Sequence, residues 1–330
     1  MAVTANTNET YDVTTIREDL SEAMASITPT ETLLMSSIGS RNVDNTFFEW
    51  SEVDLAATSA NRQIEGDVGL SNTAPTNAVR KGGYTQISAK VVEVSSTNQA
   101  VNGVANAQTV AKQVAYKLSE LKRDMEAMLL DNVAASAGSS GNARATAGLP
   151  AYLTSNVSRG TGGANGTTSG TGEAGFVNAA ATDGTLRPIV EDLLKGVIAD
   201  CWNAGATPTI VMCGSAQKQK ISSFTGNATK FQDVDAKKLT AAVDIYISDF
   251  GSLEIVPNRH MRVRTDSGTD FTPDVLVLDP SYAEVAYLQT AKQEALAKTG
   301  LSERRLISCE YGLQVTSQKA HGIVADINAS

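Results

Sequence analysis

The residues able to do chemistry are few and scattered. Gly170, Gly172 and Gly175 match the GxGxxG spacing that cradles a dinucleotide pyrophosphate. That loop works between a strand and a helix N-terminus. Here it lies in the low-complexity run SNVSRGTGGANGTTSGTGEAG with no strand before it, so chance spacing is the better reading. No GxxxxGK[ST] phosphate loop and no GxSxG nucleophile elbow occur. The two histidines, His260 and His321, are far apart in sequence and have no carboxylate–cysteine cluster beside them, so they read as structural. Cys201, Cys213 and Cys309 form no short CxxC pair. They read as buried free thiols in a reducing compartment, with a single disulfide as the alternative. Glu120, Asp124 and Glu126 read as the solvated face of a helix. Arg259, Arg262 and Arg264, and again Arg304-Arg305, either bridge to a neighbouring subunit or form a solvated edge, and the solvated reading is preferred. Asn8, Asn156, Asn165 and Asn227 begin N-x-[ST] triplets that carry no meaning without a secretory signal. No catalytic, cofactor-binding or metal-binding residue is assigned, and the expectation is a protein that is not an enzyme and needs no cofactor.

Composition points the same way. A chain of 330 residues, 42% apolar and 19% charged, has material for a real core. Aromatics are only 5%, so the core must be mostly aliphatic. A formal net charge of -9 excludes a broad nucleic-acid-binding face, because phosphate binding needs a basic surface. No apolar run is long enough to cross a bilayer, and the N-terminus lacks a secretory signal, so the expectation is a protein made in a cytoplasm and acting away from membranes.

The elements that would position any site are clearer than the site. Residues 1–13 read as a polar arm, followed by a helix with Ile16, Leu20, Met24 and Ile27 in one stripe, stopped at Pro29. TFFEWSEV (46–53) and YTQISAKVVEVSST (84–97) read as strands. The roughly thirty polar residues between them read as a long hairpin loop that leaves the body. In 84–97 the residues Tyr84, Gln86, Ser88, Lys90, Val92 and Val94 would share one face. The strongest helix spans about 106–136, with Val110, Val114, Leu118, Leu121, Met125, Met128 and Leu129 in one stripe. At 1.5 Å per residue it would run about 45 Å and serve as a spine. Residues 138–184 read as a mobile or irregular surface loop. A helix from Thr185 with Pro188 in its first turn, a buried strand at 209–213, a helix at 214–224, a hairpin over 243–256 and strands near 274–278, 285–288, 304–316 and 321–327 complete an α+β chain.

The order of these parts resembles the Hong Kong 97-like fold of tailed-bacteriophage major capsid proteins. Several strings resemble one family with that fold: TYDVTTIREDLSEAMASITPTETLLMSSIG (10–39), TFFEW (46–50), ELKRDMEAMLL (120–130), VDIYISDFGSLEIVPNRHM (243–261), VLVLDPSYAEVAYL (275–288) and AHGIVADI (320–327). The resemblance implies an N-terminal arm at 1–42, an extended loop at 43–98, a peripheral domain with the spine helix at 99–137 plus 270–330, and an axial domain at 138–269. It also implies a homo-oligomer of hexamers and pentamers that closes an icosahedral shell around double-stranded DNA without sequence-specific binding. The partners implied are a portal and, in some relatives, decoration or scaffolding proteins. The place implied is the virion capsid, assembled in the host bacterial cytoplasm. Some relatives form a Lys–Asn isopeptide bond. Lys81 and Lys90 lie in the loop region, but no partner Asn or activating carboxylate is identified, and no such bond is expected. The alternatives are an encapsulin-like nanocompartment shell protein and an α/β enzyme built on the 185–213 helix–strand. The missing nucleophile–base pair and cofactor loop argue against the enzyme.

Overall fold

The structure, a computed structural model, describes residues 28–62, 65–66, 74–101, 109–169, 175–224, 245–266, 268–298 and 300–328. The stripe expected at Ile16, Leu20, Met24 and Ile27 lies outside the described residues, as do Gly170 and Gly172.

A short helix α1 (Leu33–Ser37), with Leu34 buried, leads into β1 (Gly39–Asn42). Strands β2 (Phe47–Glu52) and β3 (Val79–Tyr84) form an antiparallel hairpin, from Phe47 opposite Tyr84 to Glu52 opposite Val79. The sequence pairs 46–53 with 84–97. The structure instead pairs β2 with 79–84 and sends β4 (Gln86–Ser95) into a different sheet. Thr85 is the reason. It is fully buried, its N–H donates to the Thr46 carbonyl (2.9 Å) and its hydroxyl to Glu310 (2.8 Å), so the chain changes sheets there. Along β4 the even-numbered face points inward as the alternation predicts, with Val92 and Val94 buried, while Ile87 and Val91 stay exposed on the other.

After a turn of helix α2 (Ser96–Ala100) comes the spine, α3 (Val110–Leu130), with the Thr109 hydroxyl accepting from the Lys112 N–H at its start. It is about 32 Å long. Leu121, Met125, Leu129 and Leu130 are buried, and Val110, Val114 and Leu118 pack at the margin of the same core. Burying one such side chain contributes about 1.5–3 kcal/mol. The helix ends six residues before the sequence expects. Asn132 exchanges hydrogen bonds with the backbone of Ala181 (2.7 and 3.0 Å), Ala135 bonds Val177, and Ser136 pairs with Ala145, so that segment's polar groups are satisfied outside a helix.

The remainder runs α4 (Leu149–Tyr152), β5 (Val157–Ser158), β6 (Thr167–Thr168), β7 (Val177–Ala179), α5 (Glu191–Asn203), β8 (Ile210–Cys213), α6 (Ser215–Ser222), β9 (Ile245–Ser248), β10 (Gly251–Pro257), β11 (Arg264–Asp266), β12 (Thr269–Phe271), β13 (Val275–Leu278), β14 (Ala283–Ala295), β15 (Ser302–Val315) and β16 (Gly322–Val324). Two sheets dominate. One is four-stranded, in the order β1-β14-β15-β4, and carries the spine against it. The other is six-stranded, in the order β5-β16-β13-β8-β10-β9. Helices α5 and α6 cover one face of the six-stranded sheet through Leu194, Val197, Ile198 and Ile221 against Val211, Ile255, Val275 and Val277. Its other face gives Met212, Leu276, Leu278 and Ile323 to the core shared with the spine.

Two further expectations change. Helix α5 begins at Glu191, not Thr185, so Pro188 precedes it. Arg187 is bonded through its N–H to the Asp326 carbonyl and through its own carbonyl to the Asn328 N–H, which holds the backbone extended there. The stretch 138–184 is irregular but anchored in the body: Leu149, Ala151, Leu153 and Val177 are buried, and Gly175 pairs with Lys81 beside the hairpin.

Candidate functional site

The groups singled out for chemistry are dispersed. His321 is buried, its Nδ1 accepts the Asp279 N–H (3.3 Å), and desolvation pulls its pKa down to about 4, so it is neutral at ordinary pH. His260 is half-buried on the loop after β10. Cys201, Cys213 and Cys309 are buried free thiols whose pKa values burial pushes up to about 12, 12 and 11, which makes them poor nucleophiles. Among the described residues no group of three or more His, Cys, Asp or Glu side chains is arranged to hold a metal, and no helix is long and apolar enough to cross a membrane. Of the glycine triplet, only Gly175 is described, and it pairs with the hairpin.

The acidic spine face divides in two. Glu120 and Asp124 lie on the outer side as expected, where Lys90 reaches both (3.3 and 2.7 Å) and Lys117 reaches Glu120 (2.8 Å). The bond to Asp124 holds the Lys90 ammonium above its usual pKa, and Lys117 holds Glu120 below its own. Glu126 is different. The sequence places it on the solvated face, yet it is fully buried and accepts the N–H groups of Leu34 (2.6 Å) and Met35 (3.0 Å) and the amide of Asn258 (2.8 Å). Its position beside Met125 at the margin of the apolar stripe was the only signal for this.

The arginines also correct the solvated reading. Arg262 binds Asp274 (2.9 Å) and Asp183 (2.8 Å), and Arg264 binds Asp326 (3.2 Å), all within the chain, while Arg259 is exposed. Asp326 is fully buried at φ 61° and accepts the N–H groups of Gly160 (2.9 Å) and Gly184 (2.8 Å). One carboxylate therefore ties the C-terminal segment to two turns of the glycine-rich stretch. Arg304 pairs with Glu93 (3.4 Å) and Arg305 with Glu303 on the sheet. Lys81 pairs with Glu52 across the hairpin, so both candidate loop lysines already have carboxylate partners within the chain.

What the elements do assemble is a stiff stem. At the hairpin root the rings of Phe47 and Tyr84 lie 4.7 Å apart between centroids, Tyr84 and Phe176 5.1 Å, Phe48 and Trp50 6.0 Å, and Trp50 and Tyr152 6.4 Å. Gly82 and Gly83 make room for this. A Cβ at Gly82 would collide with the Phe47 ring, and one at Gly83 would meet both Phe48 and Tyr152. Beyond the stem, every described residue from Val53 to Ala78 is exposed, with Leu55 84% accessible. The described residues beyond the stem therefore lie outside the core, and Asp54 pairs with Lys319 of the body (2.6 Å).

Comparison with known proteins identifies the setting. A family model described as SU10 major capsid protein matches residues 3–328. The chain belongs to the SU10 major capsid protein family. It is thus a structural capsid protein and not an enzyme. A curated major capsid protein of Escherichia phage Phieco32 is 29% identical over 132 residues, which span 40% of this chain and 35% of that protein. A structure from Mycobacterium phage Bobi superposes with a TM-score of 0.62 at 10% identity, covering 97% of this capsid protein and 98% of the other chain. An encapsulin complex from Synechococcus elongatus gives 0.56 at 11% identity, covering 96% and 94%. These likenesses show the fold, which is the Hong Kong 97-like fold the sequence resembled.

Proposed function

We propose that this capsid protein assembles into a closed icosahedral shell of hexamers and pentamers that encloses double-stranded phage DNA. The observation that carries the reading is the stem: an aromatic-braced hairpin root holding out a segment whose described residues all face solvent. Such a segment gains order by lying on a neighbouring copy, and a symmetric lattice repeats that contact. The arm (1–42), extended loop (43–98), peripheral domain (99–137 with 270–330) and axial domain (138–269) are the working parts. The spine supports the peripheral part, and α5 and α6 belong to the axial part. A portal and, where present, decoration or scaffolding proteins complete the particle in the bacterial cytoplasm. The net charge of -9 suits a wall that encloses DNA without gripping it.

Light scattering and negative-stain microscopy of the purified full chain test this. Closed particles with five- and six-fold units are the expected result, and monomers alone over a wide range of salt and concentration would refute it. The likeness to an encapsulin favours one second reading, a nanocompartment around protein cargo. Nucleic acid and portal protein in native particles support the first reading, whereas an enzyme inside them supports the second.

A further inference from the structure

We propose that Glu126 is a positioning residue for assembly, one that fixes where the N-terminal segment joins the body relative to both sheets. The proposal rests on the shell reading above. Thr32, at the position where a capping side chain normally closes a helix start, makes no side-chain cap bond to α1. The cap comes instead from 92 residues away, where the two carboxylate oxygens of Glu126 take the N–H groups of Leu34 and Met35.

The same carboxylate reaches a third element. Oε1 also accepts the side-chain amide of Asn258, one residue past β10. Asn258 is itself fixed: its N–H donates to the Cys213 carbonyl (2.9 Å), and its side-chain oxygen accepts the His260 N–H (2.8 Å). A continuous set of hydrogen bonds therefore runs from α1 through the spine to the ends of β8 and β10. It links the root of the arm, the helix under the four-stranded sheet, and the six-stranded sheet.

Apolar packing alone would hold α1 down, since Leu34 is 1% exposed. A fully buried carboxylate is expensive to keep unless its hydrogen bonds are satisfied, and among the described residues its partners are N–H groups rather than a cation. What it adds over a leucine is direction. Three donors converging on two oxygens set the orientation of α1, which apolar contact leaves free to slide. In a shell, the orientation of α1 sets the direction in which the chain before it leaves the body.

The test uses the full chain and three variants. Glu126→Gln keeps the size but turns a donor toward the α1 backbone. Asn258→Ala removes one of the three bonds. Met125→Ala is the control, a core truncation one residue away that leaves the clamp intact. Hydrogen exchange over residues 32–38 and particle diameters by electron microscopy are the readouts. Glu126→Gln should be folded by circular dichroism, exchange about ten- to hundred-fold faster at Leu34 and Met35, and give shells that are lost or spread in diameter. Met125→Ala should melt earlier yet form shells of normal diameter. Unchanged exchange or wild-type shells from Glu126→Gln overturns the proposal, and so does an equal loss of shells from Met125→Ala. If Glu126→Gln does not fold, Asn258→Ala decides: faster exchange with altered shells supports the clamp, and wild-type behaviour overturns it. A wild-type chain that forms no shells refutes the shell reading itself, an outcome distinct from variants that assemble like wild type.

Discussion

A histidine buried without charge makes stability depend on pH in a known direction. His321 has its pKa lowered to about 4 by burial, against about 6.5 in an unfolded chain. Between those values the unfolded state binds more protons than the folded one. Stability contributed by the neutral ring is complete above pH 6.5 and is lost as pH falls toward 4, by on the order of 3 kcal/mol. Acid also acts on stability through groups other than this imidazole, so the informative quantity is a difference. His321→Gln should flatten the melting-temperature curve between pH 6.5 and 4 relative to wild type. Parallel curves for the two proteins would show that His321 does not titrate on unfolding. The buried acids follow the same principle of partnership. Asp326 and Glu126 are each fully buried and each accept three N–H donors, so removing either carboxylate strands buried donors, and removing Asp326 also takes a carboxylate partner from Arg264.

The spine and the hairpin are the elements on which the account depends. Leu121 is 2% exposed, in the middle of the stripe that meets the sheet. Leu121→Asp would bury an unpaired charge at several kcal/mol, a large part of a domain's stability. It should yield insoluble or strongly destabilised protein, and soluble expression with unchanged melting would contradict the packing. The hairpin calls for the opposite experiment. Because β3 reaches back to Val79, a cut that spares the stem must fall inside 54–78. Replacing those residues with an Asn-Gly turn should leave circular dichroism and melting nearly unchanged while abolishing or severely weakening shell formation. Unfolding would place the segment in the core, and normal shells would remove its assembly role. The sequence made the spine legible because Val110, Val114, Leu118, Leu121, Met125 and Leu129 repeat on one face, and helix α5 because Ile189, Leu193, Val197 and Cys201 do the same. It hid whatever depends on distant partners. Thr85 looks like any strand residue until Thr46 and Glu310 are beside it. Asp131–Ser136 continues a helical composition, but Ala181, Val177 and Ala145 draw it out of the helix. Glu126 and Arg262 carry charges that composition assigns to water, and only the fold brings their partners to them. The glycine-rich stretch looked unstructured because its order comes from Asp326 and from the hairpin, both remote in sequence.

At the scale of the whole molecule, the reactive groups among the described residues stay apart. The three thiols are buried and the two histidines are dispersed, while several solvent-facing apolar residues lie on edge strands or beyond the stem. Examples are Leu55 beyond the stem, Ile87 and Val91 on the outer face of β4, and Ile245 and Ile247 on the edge strand β9. Scattered over separate sheet edges, they suit several contacts with several neighbours better than one pocket for one ligand. The most direct measurement is a cryo-electron-microscopy reconstruction of particles assembled from the full chain. The expected result is a closed shell of pentamers and hexamers in which residues 54–78 of each subunit rest on the adjacent one. Particles in which that segment touches only its own subunit, or a preparation without closed shells, would contradict it.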